Sequence, residues 1–137
     1  MENNTFRKLK IIVAEDDEAS AEFLSVLLKK RASEILVATS GKETVEFCRK
    51  HSDADLILMD IQMPKMDGYE TRKALKERYG ESAPKMVALT GYQTEDDKHK
   101  IQDAGFEGFL GKPYSENQLI EIIKKMELRT NDKEPND

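Results

Sequence analysis

The sequence predicts an α/β fold in which a parallel β-sheet is covered by helices on both faces. Short apolar runs alternate five times with stretches of helical periodicity along the 137 residues. The runs carry little internal charge, which is typical of strands that are buried on both faces. A regular strand–helix alternation of this kind joins parallel strands through right-handed crossovers. A chain of this length is expected to form one domain.

The apolar runs define the predicted strands. In chain order they are Leu9–Ala14, Ile35–Thr39, Leu56–Met59, Met86–Leu89 and Phe106–Leu110. Because parallel strands in one sheet point the same way, their carboxyl ends share one edge of the sheet. In open α/β sheets, ligands bind outside that edge, at the point where the strand order reverses. The sequence therefore directs attention to the residues that follow each run.

The first and last helices are predicted by positions that recur at the spacing of an α-helix. In each stretch a set of residues falls at i, i+3, i+4 and i+7, which places them on one face. The first set is Leu24, Leu27, Leu28 and Arg31. The last set is Leu119, Ile122, Ile123 and Met126. Each set predicts a helix that packs one face against the sheet.

Polar residues at three predicted helix starts can accept hydrogen bonds from the free backbone N–H groups there. Ser40 precedes a helix that has Glu43 three residues further on, which is the pattern of a capping box. Thr94 and Ser115 are the predicted caps of the last two helices. These signals agree with the boundaries that the apolar periodicity suggests.

The helix predicted from Thr94 to Ala104 has few apolar side chains. Only Ile101 and Ala104 are clear anchors, and Gly105 is the predicted C-terminal stop. Little buried area would hold this helix against the sheet. We therefore expect it to be the most mobile helix of the domain.

Composition argues against several classes of protein. The net charge is −5, from 22 basic and 27 acidic residues, and the absence of a basic stripe argues against direct nucleic-acid binding. The longest unbroken apolar run is four residues, too short to span a membrane. The single cysteine, Cys48, cannot form an internal disulfide, and residues 1–8 lack the apolar core of a signal peptide. These features favour a cytoplasmic protein.

The predicted domain spans residues 9–127. Residues 1–8 form a short lead-in, and residues 128–137 are polar, lack periodicity and are expected to be disordered. We expect no DNA-binding output region after the last predicted helix. We expect the chain to be either a stand-alone module or a module excised from a longer protein.

Polar and charged residues follow four of the predicted strands. Glu15 and Asp16 follow the first strand, Asp60 ends the third, Thr90 follows the fourth, and Lys112 comes just after the fifth. An ionisable carboxylate at the end of a buried strand is costly unless its charge is used. We expect these five side chains to meet at one edge of the sheet, where they would suit a divalent cation and a phosphoryl group.

The chemistry of this set favours phosphoryl transfer. Mg²⁺ prefers oxygen ligands, and a bound cation would relieve the repulsion between Asp16, Asp60 and the nearby Glu15. Asp60 can then attack phosphorus and form an acyl phosphate. The Lys112 ammonium would neutralise charge on the transferring group, and the Thr90 hydroxyl can donate to a phosphoryl oxygen. The phosphoryl donor must come from another molecule.

The motifs around these residues closely resemble the receiver domains of two-component response regulators. In chain order they are Ile12-Val13-Ala14-Glu15-Asp16-Asp17, Leu58-Met59-Asp60-Ile61-Gln62-Met63-Pro64-Lys65-Met66-Asp67-Gly68, Ala88-Leu89-Thr90-Gly91 and Gly111-Lys112-Pro113. The resemblance covers residues 9–127. It implies a flavodoxin-like, doubly wound (βα)5 three-layer sandwich with strand order 2-1-3-4-5. The first two motifs are most similar to receivers of hybrid sensor histidine kinases.

The resemblance also implies a role for each matching residue. Asp60 would be the phosphoacceptor. Asp16 would bind Mg²⁺, or Mn²⁺ as a substitute, directly; Glu15 would bind it directly or through water, and the backbone carbonyl of Gln62 would complete the protein ligands. Many family members have Asp where Glu15 stands, and the longer side chain can alter the metal geometry.

The same resemblance implies a conformational switch and partner proteins. Thr90 and Lys112 would contact the phosphoryl group, and Phe109 occupies the position of an aromatic switch that is more often Tyr. Thr90 would move toward the phosphate while the Phe109 ring turns inward, and the face formed by the fourth helix, the fifth strand and the fifth helix would signal to an effector. A histidine kinase or a histidine phosphotransfer domain would donate the phosphoryl group.

Two rival functions remain open at the level of sequence. An aspartyl-phosphate phosphohydrolase would need a second Asp two residues after the nucleophile, but Gln62 stands there and cannot transfer protons. A degenerate interaction module would not need the complete set of Asp16, Asp60, Thr90 and Lys112. We therefore favour a phosphoacceptor that is not a turnover enzyme.

Overall fold

The computed structural model describes residues 8–29 and 31–126, which form alternating strands and helices. The strands are β1 (Lys10–Ala14), β2 (Glu34–Ala38), β3 (Leu56–Asp60), β4 (Lys85–Thr90) and β5 (Gly108–Gly111). The helices are α1 (Glu18–Lys29), α2 (Gly41–Lys50), α3 (Gly68–Tyr79), α4 (Glu95–Asp103) and α5 (Glu116–Lys125). A short 3₁₀ turn, Gly80–Ser82, follows α3.

The strands form one parallel sheet in the order β2-β1-β3-β4-β5. This confirms the predicted α/β fold and its flavodoxin-like strand order. The chain runs outward from β1 to β2 and then crosses back to β3 on the other side of β1. The strand order therefore reverses between β1 and β3, which is where a sheet of this kind forms its functional crevice.

Alternate side chains of each central strand point into two separate cores. In β1, Ile11 and Val13 pack with Leu24 of α1 and Leu119 of α5 on one face. On the opposite face, Ile12 belongs to a second core that includes side chains from α2, α3 and α4. This two-sided burial explains why the strand sequences are apolar throughout instead of alternating.

The helix pattern that included Arg31 was wrong at its last position. Helix α1 ends at Lys29, and the Arg31 N–H closes the following turn by donating to Leu28 O at 2.9 Å. The Arg31 side chain is buried and extends to α5, where Nη2 lies 2.6 Å from Glu116 Oε2. A long side chain with an apolar stem can thus continue a periodic pattern beyond the end of a helix.

The start of α2 differs in one detail from the predicted capping box. The Ser40 hydroxyl accepts from the Glu43 N–H at 3.0 Å, as predicted. The Glu43 carboxylate, however, accepts from the N–H and hydroxyl of Thr39, at 2.7 and 3.0 Å, and not from the Ser40 N–H. The Glu43 side chain therefore binds Thr39, one residue before the Ser40 N-cap.

Complete capping boxes begin the last three helices. Thr94 and Ser115 cap α4 and α5 as predicted. The start of α3 is capped by Asp67 and Glu70, a pattern that was present in the sequence and was overlooked. These caps fix where each helix begins relative to the loop that precedes it.

The fifth strand begins later than its apolar run. The run predicted a strand at Phe106–Leu110, whereas β5 spans Gly108–Gly111. Gly105 adopts a φ of 92°, and the Phe106 ring then packs edge-on against Tyr69 of α3 at a centroid distance of 6.1 Å. Phe106 is therefore a core residue of the turn that leads into the strand.

The junction between α4 and β5 is attached to α3 by a buried arginine. Arg72 is 2% exposed, and its Nη2 donates to Gly105 O at 2.6 Å and to Glu107 Oε2 at 3.3 Å. Within residues 8–29 and 31–126, its Nε and Nη1 atoms have no hydrogen-bond partner. The other oxygen of the Glu107 carboxylate accepts from the Met86 N–H at 2.7 Å, which extends the connection to β4.

The predicted lead-in at residues 1–8 and the predicted tail at residues 128–137 lie outside the described residues, except for Lys8. The proposed domain limits therefore stay predictions. Among the described helices, none is both long enough and apolar enough to cross a membrane.

We predict that the backbone amides of α4 exchange with solvent faster than those of the other four helices. Within α4 only Ile101 is buried, whereas α5 buries Leu119 and Ile123. Less buried apolar area makes local opening of a helix less costly. Hydrogen–deuterium exchange resolved to single elements measures this directly. Protection of α4 equal to that of α5 would contradict the prediction.

Candidate functional site

The carboxylates of Glu15, Asp16 and Asp60 converge at the carboxyl edge of the sheet, as predicted. Each offers one oxygen that lies within 4.8 Å of the oxygens offered by the other two. Ala14 pairs with Met59 in the parallel register of β1 and β3. The next residues along these two segments, Glu15 and Asp60, therefore lie side by side.

Backbone N–H groups orient the two buried carboxylates. The Asp17 N–H donates to Glu15 Oε2 at 3.3 Å. The Gln62 N–H donates to Asp60 Oδ1 at 3.2 Å. Glu15 is 1% exposed and Asp60 is 5% exposed, whereas Asp16 faces solvent. The site therefore combines two sheltered carboxylates with one that is open to an incoming ligand.

Lys112 follows β5 directly and brings an ammonium group into the acidic cluster. Its Nζ donates to Glu15 Oε1 at 3.1 Å and lies 3.6 Å from Asp60 Oδ1. The peptide bond between Lys112 and Pro113 is cis. Burial lowers the pKa of Lys112, but the Asp60 and Glu15 carboxylates together raise it above its usual value. Lys112 is therefore a cation in this site at neutral pH.

The acidic cluster contains more negative charge than Lys112 neutralises. Burial raises the pKa of Glu15, the neighbouring Asp60 raises it further, and Lys112 only partly opposes them, so that the pKa reaches about 7. Burial is the largest cause of this shift, and the charge of Asp60 adds to it. A divalent cation with oxygen ligands would remove the repulsion, so Glu15, Asp16 and Asp60 fit a Mg²⁺ site.

Gln62 lies where the sequence predicted a backbone ligand for the metal. It follows β3 by two residues, its side chain is exposed, and its N–H contacts the Asp60 carboxylate. Its role as a carbonyl ligand stays a prediction.

Thr90 reaches the same edge of the sheet, but its hydroxyl is already engaged. Thr90 ends β4 and is 2% exposed. Its Oγ1 accepts from the Tyr92 N–H at 2.9 Å and donates to Tyr92 O at 3.1 Å. The loop between β4 and α4 therefore holds the hydroxyl in this conformation. The role of Tyr92 could not be predicted from the sequence, because the contact depends on how that loop folds.

Phe109 is half-buried in β5 and contacts α4. The ammonium of Lys98 lies 5.7 Å from the centre of the Phe109 ring, within the range of a cation–π contact. The ring also lines a pocket of about 240 Å³ between α4 and β5, together with Ile101. A rotation of the Phe109 ring would alter this surface, so the predicted switch role is compatible with its position and stays a prediction.

An apolar rim beside Lys112 was missed by sequence reasoning. The rings of Phe23 in α1 and Tyr114 lie 5.9 Å apart between centroids. Together with Ala19 and Pro113, they line a cavity of about 480 Å³ that borders Lys112. Phe23 lies outside the predicted apolar face of α1. An aromatic residue out of phase with a buried stripe was the signal that could have revealed it.

Comparison with known protein families assigns the domain to one of them. Residues 11–124 match the response regulator receiver domain. The match includes every member of the acidic cluster, together with Thr90 and Lys112. The chain belongs to this family. Receiver domains act in two-component signalling, and they commonly bind a divalent metal ion and interact with histidine kinases or phosphotransfer proteins and with effectors.

Two relatives illustrate the settings in which such receiver domains occur. The chain is 32% identical over 114 residues to the polar-differentiation response regulator DivK of Brucella ovis, and the match covers 83% of this chain and 92% of DivK. It is 33% identical over 121 residues to hybrid signal transduction histidine kinase I of Dictyostelium discoideum. That match covers 83% of this chain but 7% of the kinase.

Solved structures confirm the receiver fold. The Francisella response regulator 1452 receiver domain matches with a TM-score of 0.77 at 26% identity, over 87% of this chain and 96% of that one. Vibrio cholerae chemotaxis protein CheY4 matches with a TM-score of 0.77 at 24% identity, over 85% of this chain and 97% of that one. The second likeness supports the fold alone.

We predict that the metal-free receiver domain becomes less stable as the pH rises through the pKa of Glu15. The folded-state pKa is about 7 and the usual value is 4.5, so the folded protein binds the extra proton between these values. The stabilisation is complete below the lower value and is lost as the pH rises through the upper one. Urea unfolding followed by circular dichroism in a chelator, from about pH 5 to about pH 8, measures the change.

The control variant is Glu15→Gln, which retains the acceptor oxygen but cannot ionise. As the pH rises, the unfolding free energy of the wild type should fall relative to that of Glu15→Gln. Added Mg²⁺ should reverse this loss of stability. A difference that is independent of pH would show that Glu15 does not carry the raised pKa.

Proposed function

We propose that this receiver domain accepts a phosphoryl group on Asp60 from a phosphohistidine of a partner protein, with Mg²⁺ as cofactor. The arrangement that supports the proposal is the nearly buried Asp60 carboxylate, with Lys112 Nζ at 3.6 Å and the Glu15 and Asp16 carboxylates within 4.8 Å. A cluster of this composition at the switch point of the sheet suits a transfer between two charged groups.

The transfer forms one bond and breaks one bond. A carboxylate oxygen of Asp60 attacks phosphorus, and the bond between phosphorus and the donor imidazole nitrogen breaks, leaving its electron pair on that nitrogen. An acyl phosphate is formed on Asp60. Lys112 stabilises the phosphoryl oxygens because its ammonium already lies beside Asp60. Bound Mg²⁺, held by Glu15, Asp16, Asp60 and the Gln62 carbonyl, would supply further charge neutralisation.

The conformational response begins at Thr90. Its hydroxyl can donate to a phosphoryl oxygen only after it gives up its bond to Tyr92 O. That exchange would release the loop that precedes α4, and Phe109 would turn inward beneath α4. The charge of the phosphoryl group thus shifts the β4–α4 loop and Phe109 from one conformation to another. The face formed by α4, β5 and α5 then signals to the effector.

The apolar rim supports a protein donor. Phe23 and Val26 of α1 are 47% and 59% exposed, and Phe23 contacts Tyr114 beside the acidic cluster. Exposed large apolar side chains next to a charged site are typical of a protein-docking surface. A small phosphodonor would need only the charged groups.

A phosphohydrolase is less well supported. Position 62 carries an exposed amide side chain, so the acid expected there for leaving-group protonation is missing. We therefore propose that the domain assists the gain and slow loss of its own phosphoryl group without turning over a phosphate ester.

We predict that Asp60→Asn abolishes phosphorylation. Wild-type protein incubated with acetyl phosphate and Mg²⁺ should gain about 80 Da, the mass of one phosphoryl group, at Asp60. The amide of the variant cannot attack phosphorus, so the gain should vanish. Intact-mass analysis followed by peptide mapping measures both.

Asp17→Asn is the matched control, because Asp17 is an exposed neighbouring carboxylate whose capping contact to Ser20 an amide can retain. It should be labelled like the wild type. Undiminished labelling of Asp60→Asn would remove Asp60 from the proposal, and absence of labelling in the wild type with both acetyl phosphate and a phosphohistidine donor would favour the interaction module.

We predict that Phe23→Ala slows transfer from a protein donor but not from acetyl phosphate. Truncating an exposed aromatic anchor should reduce the transfer rate from a phosphorylated histidine phosphotransfer protein by about tenfold or more. Val37→Ala, a substitution of an exposed apolar residue on the edge strand β2, is the control. Equal rates for both variants with the protein donor would argue against docking at the apolar rim.

A further inference from the structure

We infer that Gly41, the first residue of α2, is a positioning residue for Asp60, and this inference rests on the proposed role of Asp60 as phosphoacceptor. Gly41 does not touch the acidic cluster. It acts through residues 61–67, here called the β3–α3 loop, which connects Asp60 to α3.

The space at Gly41 is occupied by the β3–α3 loop. A Cβ atom at this position would lie 2.7 Å from Met66 O and 2.9 Å from Met66 Cγ, and closer still to Thr71 Oγ1. Side-chain atoms can rotate away from such a contact, but a backbone carbonyl cannot. Any larger residue must therefore displace either α2 or the loop.

The displacement would be transmitted because the β3–α3 loop is internally braced. The Met66 N–H donates to Pro64 O at 2.8 Å, and the Gly68 N–H donates to Ile61 O at 2.9 Å. Lys65 adopts a φ of 69°, in the left-handed region that non-glycine residues rarely occupy. The loop therefore tends to move as a unit.

The far end of the loop contacts the reacting carboxylate. The Gln62 N–H donates to Asp60 Oδ1 at 3.2 Å, and Gln62 is also the expected carbonyl ligand of the metal. A shift that starts at Met66 would therefore change both the orientation of Asp60 and the position of a ligand. Small misplacements of reacting groups are costly to rate, and residues that orient metal ligands typically affect affinity by about 10- to 100-fold.

Local helix propensity makes the opposite prediction for the same substitution. Gly41 lies in a helix, where Ala is intrinsically the better residue. Its backbone does not adopt a positive φ. Only the close approach of Met66 in the loop and of the Thr71 hydroxyl in α3 therefore disfavours a side chain here, so Gly41→Ala separates the two effects.

Gly108→Ala is the matched control for crowding without a loop contact. A Cβ at Gly108 would lie 3.1 Å from Met126 Cε and 3.2 Å from Ile122 Cδ1, both of which are ends of flexible side chains in or after α5. This variant tests whether general loss of packing is enough to impair the site.

The test compares wild type, Gly41→Ala and Gly108→Ala as full chains. Calorimetric titration gives the Kd for Mg²⁺, intact-mass analysis gives the initial rate of labelling by acetyl phosphate, and hydrogen exchange gives the protection of the Gln62 amide in metal-free protein. Gly41→Ala should raise the Kd about tenfold, slow labelling and lower Gln62 protection. Gly108→Ala should leave all three unchanged.

If Gly41→Ala does not fold, Gly41→Ala with Thr71→Ala removes the crowded hydroxyl but retains the overlap with Met66 O, and Thr71→Ala alone is its control. Wild-type values for the Gly41 variant, or equal losses in Gly108→Ala, would overturn the inference. If the wild type neither binds Mg²⁺ nor is labelled, the proposed function fails. In that case the Gln62 amide still tests the inference, because unchanged protection in Gly41→Ala would rule out a positioning role for Gly41.

Discussion

Glu15 and Asp60 carry like charges and lie side by side in a site that is almost closed to water. Electrostatics alone would separate them or protonate one of them. The pairing of Ala14 with Met59 between β1 and β3 prevents separation, because each carboxylate is the next residue along its segment. The pKa of Glu15 rises because burial and the neighbouring Asp60 together outweigh the opposing effect of Lys112. Strand pairing and core packing therefore sustain a charge arrangement that is unfavourable until a cation enters.

The sequence was sufficient to predict the order of the elements and to bring most of the candidate site residues to one edge of the sheet. Buried parallel strands have unmistakable apolar runs, and their carboxyl ends must share an edge, so Asp16, Asp60 and Lys112 could be placed together without knowledge of any distance. The errors occurred where side chains from different segments decide the outcome. Arg31 continued a helical pattern because its stem is apolar. Phe106 was assigned to a strand because a buried aromatic residue in a turn has the same sequence signature as one in a strand.

Contacts that depend on loop conformation could not be predicted in the same way. The hydroxyl of Thr90 bonds to Tyr92, and the ring of Phe23 contacts Tyr114, because of the conformations of the β4–α4 loop and of the segment after Lys112. The absence of a side chain at Gly41 is visible in the sequence, but the carbonyl that fills the space is not. Residue type reveals the chemistry of this site, whereas the surrounding loops determine its geometry.

The buried guanidinium of Arg72 limits the movements that are open to α4. It fastens the carboxyl-terminal end of α4 to α3 through Gly105 O and Glu107, while the amino-terminal end adjoins the loop that contains Tyr92. A helix held at one end cannot slide along the sheet. Release of the loop would therefore make α4 tilt about its anchored end, so that a small rearrangement near Thr90 becomes a larger displacement at the first turn of the helix.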